Sequence, residues 1–452
     1  MMAAAERSVA DGQVRLVVPA AVRRIAETLE RAGHETWCVG GAVRDALLGI
    51  PHLDWDLATA APPPEVRRLF RRTVPKGIEF GTVSVFDDAG VEHEVTTFRR
   101  DVRTDGRHAV VEFGASLDED LARRDLTINA IAWHPLHLVL HDPFGGRADL
   151  RAGVVRAVGE PEARMREDRL RALRAIRFAA RFDFAIEPAT WDAIVGSAPH
   201  LGRLSAERVK QELDKTMEQV RLAGRAIGRW RAAGALDALV PALAGAGDEA
   251  LGAADVLPRA VGRRAAERRV VRYAALFGDV PAAALPTALR ALRFSNAETA
   301  AVQRLVRGWQ ELGPVIAATL AAGGPSPAEA RRWVSRAGRT DVGGVLRVAA
   351  ARWAARRAAG GEAPHAAAVR ALHRRLVRTA YREPVALADL AIGGGELRAA
   401  GVPPGPEMAR LLQRLLDVVL DDPARNTVDE LLALVRRWRE AEGAADPGAA
   451  GA

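Results

Sequence analysis

The sequence predicts an α/β domain in its N-terminal part followed by a long all-α region. Two observations point there. Nearly every strand-like segment falls within the first 155 or so residues, and from about residue 160 onward the apolar spacing is helical. Composition is a third: aromatic residues are only 5% while Ala and Arg recur throughout, so the cores must be built from Leu, Val, Ile and Ala, largely on helices.

Residues 19–32 read as a helix with apolar positions at Val22, Ile25, Ala26 and Leu29 and a stop at Gly33. Residues 36–39 are a short strand that enters Gly40-Gly41, and a helix over 43–48 ends at Gly49. Strands are predicted at 55–58, 81–86 and 91–98, the last two joined by the turn Asp87-Asp88-Ala89-Gly90. The polar stretch 99–108 reads as a mobile loop. Residues 168–182 and 205–217 are predicted as helices. From 224 to about 343, Ala/Leu/Arg helices alternate with short Gly or Pro breaks, and 360–364 reads as an exposed linker. The last helical block is interrupted by Gly393-Gly394-Gly395 and by Pro403-Pro404-Gly405-Pro406, and the tail from 441 frays. No fixed-period repeat is present.

The chain has 452 residues, with 65 basic against 57 acidic side chains and a formal charge of +8. Lys76, Lys210 and Lys215 are its only lysines, so the positive charge is almost all guanidinium. That balance suits a polyanionic partner, and it equally suits an arginine-rich composition spread over solvated faces. The single cysteine, Cys38, excludes an internal disulfide framework and a cysteine-based zinc site, and its apolar neighbours predict a core position. Residues 1–18 lack the pattern of a secretory leader, and no stretch approaches the roughly 18 apolar residues of a membrane span. The expected location is the cytoplasm.

Asp54-Trp55-Asp56 is the sharpest local feature. On a strand, side chains two apart share a face, and two carboxylates so placed can jointly hold a pair of divalent ions about 3.5–4 Å apart. An Asp-x-Asp alone is also a common turn or helix cap. Gly40-Gly41-Ala42-Val43-Arg44-Asp45 lies just upstream, with two glycines between a strand and a helix. Such a turn lets backbone N–H groups approach a phosphate, and Arg44 adds a charged fork. Together the two segments describe a triphosphate cradle beside a metal site.

With these residues the chain resembles the class II tRNA nucleotidyltransferases, the CCA-adding enzymes, and the related bacterial poly(A) polymerases of the polymerase β superfamily. The resemblance runs through residues 40–56, Phe80-Gly81-Thr82-Val83, Glu94-Val95-Thr96-Thr97-Phe98-Arg99, Arg123-Arg124-Asp125-Leu126-Thr127-Ile128-Asn129-Ala130, residues 167–177, Ser205-Ala206-Glu207-Arg208 and Pro403-Pro404-Gly405-Pro406. Each motif is modest alone; their order and spacing are specific. The resemblance implies a polymerase β-like α/β nucleotidyltransferase head with a mixed sheet over 1–155. It further implies an all-α neck over 156–222 for base recognition, a body over 223–358 and a tRNA-binding tail over 359–452.

By the same resemblance, Asp54 and Asp56 are the catalytic, metal-binding aspartates for two Mg2+ ions. Gly41 and Arg44 hold nucleotide phosphates. Glu94 is either a third metal-binding carboxylate or a structural strand residue. Arg124, Asp125 and Asn129 bind ribose and phosphates; the last two, four residues apart, face one pocket if they lie on one helical turn. The helix from Glu167 carries Asp168, Arg171, Arg174 and Arg177. Asp168 and Arg171 resemble a protein-made Watson–Crick edge that accepts C or A, whose amino groups a carboxylate can receive. Arg174 and Arg177 hold phosphates or brace the helix. The loop with Asp105 and Arg107 resembles the flexible loop of members that add the terminal A.

The chain departs from the family pattern at Met165, Arg169 and Leu126, where no needed functional group is lost. In the body, some relatives carry a His-Asp phosphohydrolase pair where this chain has Gly278-Asp279, and no histidine occurs between His200 and His365. The body is therefore expected to lack that metal site, with Asp279 merely ending a helix. The implied activity is template-independent addition of C, C and A to the 3′ end of tRNA from CTP and ATP, with release of pyrophosphate. The acceptor–TψC arm would be read by shape. A poly(A) polymerase or an A-adding enzyme of the same family shares these motifs. A non-catalytic RNA-binding scaffold is the competing class.

Overall fold

The apolar spacing of the first predicted helix is realised in α1, Ala20–Arg31, which buries Val22, Ile25, Ala26 and Leu29. The computed structural model describes residues 16–51, 54–104 and 109–445. Strand β1, Thr36–Val39, leads into helix α2, Gly41–Leu47; β2, Asp56–Thr59, is followed by α3, Pro63–Leu69. Next come β3, Thr73–Pro75, β4, Thr82–Phe86, and β5, Glu92–Thr97. A ribbon of β6, Arg99–Thr104, and β7, Ala109–Phe113, precedes α4, Leu117–Ala122. The sheet is completed by β8, Ala132–His134, and β9, Val139–His141.

These strands form a seven-stranded mixed sheet in the order β3-β4-β5-β2-β1-β8-β9. β1 runs antiparallel to both β2 and β8, whereas β2 and β5 are parallel. One face buries Val39, Ala58, Phe98, Leu117, Leu121, Ala130, Ala132 and Val158 as a continuous core. Cys38 lies in the sheet with no exposure, and burial pushes its thiol far above the ordinary range, with Asp56 adding to the shift. It is a core residue, as its apolar neighbours predict.

The head continues through α5, Gly146–Ala152, β10, Val154–Val155, and α6, Pro161–Glu167, into α7, Leu170–Phe182. The strand β11, Ala185–Ile186, pairs with β10, and α8, Pro188–Ser197, and α9, Ala206–Gln219, follow. Two compact units result: the chain up to Thr216 with Arg229–Leu239, and Met217–Gly228 with everything from Val240 onward.

The second unit is helical, with long helices at Asn296–Ala321, Val342–Ala358, Ala366–Arg382, Pro406–Asp421 and Val428–Ala445. Ser295 with Glu298 and Ser326 with Glu329 form capping boxes that set where two of its helices start. Leu397, Val402, Leu411, Leu415, Val419, Leu431 and Val435 share a core near its end. Among the described residues, no helix is long and apolar enough to cross a membrane.

Several expectations are corrected here. The stretch 99–104 is a strand rather than loop, paired with 109–113; Arg100 bonds Glu112 at 2.9 and 3.0 Å, so its charges sit on a solvated ribbon. A polar run carries no apolar alternation that would mark it as a strand. Asp105 and Arg107 lie outside the described residues. Asp168 is not on the long helix: it ends α6 in an extended conformation, and α7 begins at Leu170. Asp125 and Asn129 are not on one α-helix either, since Leu126 is extended and 127–129 form only a short 3-10 turn. Gly393 and Gly394 open the helix Gly394–Ala399 instead of interrupting one. Asp279 does more than end a helix. It pairs at 2.5 Å with the buried Arg352, and a Cβ on Gly278 would lie 2.7 Å from that guanidinium. A buried arginine thus fills the position where a His-Asp metal pair was sought.

Candidate active site

The antiparallel pairings of β1 gather the site. Val39, its last residue, lies opposite Asp56, the first residue of β2, and opposite Ala132, the first of β8. The Gly40-Gly41 turn, the Asp54–Asp56 segment and the chain entering β8 therefore meet at one end of the sheet. Gly40 has φ 74° and ψ −132°, a conformation open to glycine alone, and a Cβ there would lie 3.0 Å from Arg124 Nη1. The glycine is needed both for the turn and for the close approach of Arg124.

Asp54 and Asp56 are exposed on either side of Trp55, which is 3% exposed. The alternation puts both carboxylates on the solvent side and anchors them by the indole. Both offer only oxygen ligands, the donor type that hard divalent cations take. The pairing of Leu57 with Val95 places Glu94 next to Asp56 on the adjoining strand, on the same face. Its carboxylate is held by Lys76 at 2.9 Å, so Glu94 sits beside the pair but is turned to a lysine.

Arg44 is 3% exposed. Its guanidinium lies over the Phe178 and Phe182 rings at 4.8 and 5.0 Å. Its Nε and Nη2 donate to Asp45 at 2.8 and 2.7 Å, and Nη1 donates to Asn129 Oδ1. Arg181 reaches the other Asp45 oxygen at 2.9 Å. Burial pulls the Arg44 pKa down, and Asp45 opposes that pull. Arg44 thus fastens α2 to α7 from beneath the glycine turn; its donors are committed within the protein.

Asn129 Nδ2 donates to Asp125 Oδ1 at 2.9 Å, and Arg174 Nε donates to Asp125 Oδ2 at 2.7 Å. Burial alone would raise the Asp125 carboxyl, but the Arg174 charge and the Asn129 bond hold it well below the usual carboxylate range. The aspartate and asparagine do come together, through a tight turn rather than a helix. Arg124 Nη2 donates to Asp120 at 3.1 Å, and its Nη1 makes only a long 3.4 Å contact with the Asn129 carbonyl.

Asp168 and Arg171 bond to different partners. Asp168 accepts from Leu170 N at 3.0 Å and from Arg208 Nη2 at 2.7 Å. Arg171 donates to Glu167 at 2.6 Å and to the Arg123 carbonyl at 2.7 Å. Arg177 is 3% exposed and pairs with the buried Glu212 at 2.6 Å, so it braces α7 against α9. Arg174 reaches Asp125 and lies over Phe178 at 5.5 Å.

Sequence reasoning missed Asp45, Asp120, Arg181, Phe178, Phe182 and Glu212. The spacing carried a signal for some. Asp120 precedes Arg123 and Arg124 by three and four residues, and Phe178 and Phe182 are four apart on α7. The partnerships of Arg181 with Asp45 and of Arg177 with Glu212 join distant segments and leave no local trace.

A second set of potential metal ligands, Glu30, His134 and His137, has ligand atoms within 4.8 Å of one another. Nδ1 of His134 accepts from the amides of Leu136 and His137 at 3.4 and 3.2 Å, and Nε2 faces Glu30 Oε1 at 3.4 Å. That oxygen also accepts the Thr36 amide at 2.6 Å. Both ring nitrogens are engaged, so the group works as a polar staple between α1 and the β8–β9 hairpin.

Residues 36–156 match the family described as the poly A polymerase head domain, and 183–246 match the probable RNA- and SrmB-binding site of polymerase A. The CCA-adding enzyme of Lactiplantibacillus plantarum is 47% identical over 202 residues, which is 44% of this chain and 48% of the relative. That of Geobacillus stearothermophilus is 44% identical over 223 residues, 49% of this chain and 54% of the relative. These sequence matches span about half the length of the curated relatives. A solved Bacillus stearothermophilus CCA-adding enzyme in complex with CTP is similar over nearly the whole length: 31% identity, TM-score 0.72, covering 94% of this chain and 98% of that one. A Thermotoga maritima CCA-adding enzyme complexed with tRNA shares the fold at 22% identity and TM-score 0.65, over 92% of this chain and 96% of that one.

Proposed function

The chain belongs to the family of the CCA-adding enzymes, with their poly(A)-polymerase-type head, and from that premise we propose that it adds C, C and A in turn to the 3′ end of tRNA, using CTP and ATP and releasing pyrophosphate. The observation that carries the reading is the meeting, at one end of the head sheet, of the exposed Asp54 and Asp56 with the Gly40-Gly41 turn. The CTP complex of the Bacillus relative supports the nucleotide, and the tRNA complex of the Thermotoga relative supports the acceptor.

Asp54 and Asp56 would hold the divalent ions, read here as two Mg2+, with Glu94 as a third carboxylate once released from Lys76. Bound there, such ions supply activation of the attacking oxygen and neutralisation of the leaving pyrophosphate. The protein's own contribution is alignment. The backbone at Gly40-Gly41 and the Arg124 guanidinium receive the triphosphate. The ionised Asp125 and its partner Asn129 take the ribose side, kept rigid by Arg174 and by Arg44 beneath the turn. Asp168 and Arg171 choose the base, exchanging their bonds to Arg208 and Glu167 for bonds to the exocyclic amino group and ring edge of C or A. The helical neck (156–222) serves base recognition, and the arginine-rich body (223–358) and tail (359–452) hold the acceptor–TψC arm by its backbone and shape. The working compartment is the cytoplasm.

The test is incorporation of labelled CTP and ATP into tRNA that ends before CCA, with products sized to the nucleotide. The proposal expects growth by three residues and then arrest. A long A tail would assign the chain to poly(A) synthesis, and a single A added only to tRNA ending in CC would assign it to A addition. No pyrophosphate release, with tRNA still bound, would mark a scaffold.

A further inference from the structure

We propose that Asp120 is a positioning residue for nucleotide binding, holding the Arg124 guanidinium against the Gly40-Gly41 turn. The inference rests on the reading of Arg124 as a triphosphate contact.

Asp120 stands in the first turn of α4, whose start is fixed by a capping box between Ser116 and Glu119. It is 1% exposed. One carboxylate oxygen accepts from Arg123 Nε and Nη2 at 3.0 and 2.7 Å, and the other accepts from Arg124 Nη2 at 3.1 Å. The grip on Arg123 already compensates a buried charge, because a guanidinium fork bound to one oxygen is a strong charge-assisted contact. The second oxygen is spent on Arg124, the residue beside the glycine turn.

What Arg124 keeps is donor capacity. Its Nη1 has only the 3.4 Å contact with the Asn129 carbonyl, and its Nε is buried without a hydrogen-bond partner. Asp120 therefore ties down Nη2 and leaves Nη1, the nitrogen beside Gly40, as the donor facing the turn where a phosphate oxygen would sit. A loose arginine would have to be ordered at each binding event, and the anchored one is ordered in advance. The Arg123 side chain has no part in this; only its backbone carbonyl, which any residue there would supply, accepts from Arg171 Nη2 at 2.7 Å. The Asp120 carboxyl stays ionised: burial would raise it, but Arg124 and Arg123 hold it below the usual carboxylate range.

The experiment is a double-mutant cycle on Asp120→Asn and Arg124→Ala, reading KM for CTP, kcat of CMP incorporation into truncated tRNA, and the urea midpoint. Asp120→Asn should raise KM roughly ten-fold with a much smaller change in kcat, and the double variant should be no worse than Arg124→Ala, because partners acting through one contact do not add. Arg123→Ala, which breaks only the other arm, should lower the urea midpoint and leave KM near wild type. Should Asp120→Asn fail to fold, Asp120→Glu keeps the charge, displaces it by one methylene, and carries the same cycle. An unchanged KM in the Asp120 variant while Arg124→Ala raises it overturns the positioning role alone. So do effects that multiply in the double variant, or a KM rise in Arg123→Ala equal to that of Asp120→Asn. A wild-type KM in Arg124→Ala overturns the underlying reading of Arg124 and this inference with it.

Discussion

Asp168 holds a carboxylate at the break between two helices, where its backbone is extended and Arg208 occupies one oxygen. The base-selecting role proposed for Asp168 is directly testable at this carboxylate. Asp168→Ala should blur nucleotide choice: GTP and UTP incorporation should rise relative to CTP in a competition assay, and unchanged rejection of both would remove Asp168 from base selection. Asp125 carries a different consequence. Its folded-state pKa is depressed by Arg174 and Asn129 despite burial. The stability it contributes is present above the unfolded value of about 3.9 and is lost as pH falls from there toward the folded value. Urea midpoints measured downward from pH 6 should therefore drop steeply below about pH 4, and Asp125→Asn should flatten that decline. An identical slope in the variant would contradict this account of the Asp125–Arg174 pair.

At the level of elements, the site exists because β1 is flanked by antiparallel neighbours that both begin where it ends. The glycine turn at that end is the weak point. Any side chain at Gly40 faces a disfavoured conformation costing about 1–3 kcal/mol, with Arg124 in the way. Gly40→Ala should lower the urea midpoint and raise KM for CTP together, and a variant with neither change would show that the turn tolerates a Cβ. The strand β1 and the helix α1 with its four buried apolar positions were legible in the sequence, because each is a local pattern of period or composition. The strand β8 was not. It is three residues long and buried on both faces, so it shows no alternation. The ribbon of β6 and β7 was missed for a different reason, as the polar run 99–104 reads like loop. The helix predicted from 168 starts two residues later, because Asp168, accepting from the Leu170 amide, is extended there.

Over the whole molecule, the chain places its charged chemistry in two ways. In the unit that holds the sheet, buried pairs such as Arg44–Asp45 and Arg177–Glu212 make the neighbourhood of the glycine turn rigid. In the helical unit, buried arginines bind backbone carbonyls and carboxylates. Arg272 donates to the carbonyls of Met217, Val220, Arg221 and Leu257, and Arg352 pairs with Glu249 and Asp279. Some of the arginines that the composition counts are therefore internal wiring, and net charge alone does not separate them from those that could meet a polyanionic partner. The residues that speak for catalysis are few, and Asp56 is the most exposed to test. The direct measurement compares wild type and Asp56→Ala for incorporation of labelled CMP into tRNA lacking CCA, alongside filter binding of the same tRNA. The account predicts that incorporation falls to background while tRNA binding stays within about two-fold, since a metal ligand is lost and the RNA-binding surface is not. Incorporation that persists at the wild-type rate would contradict it.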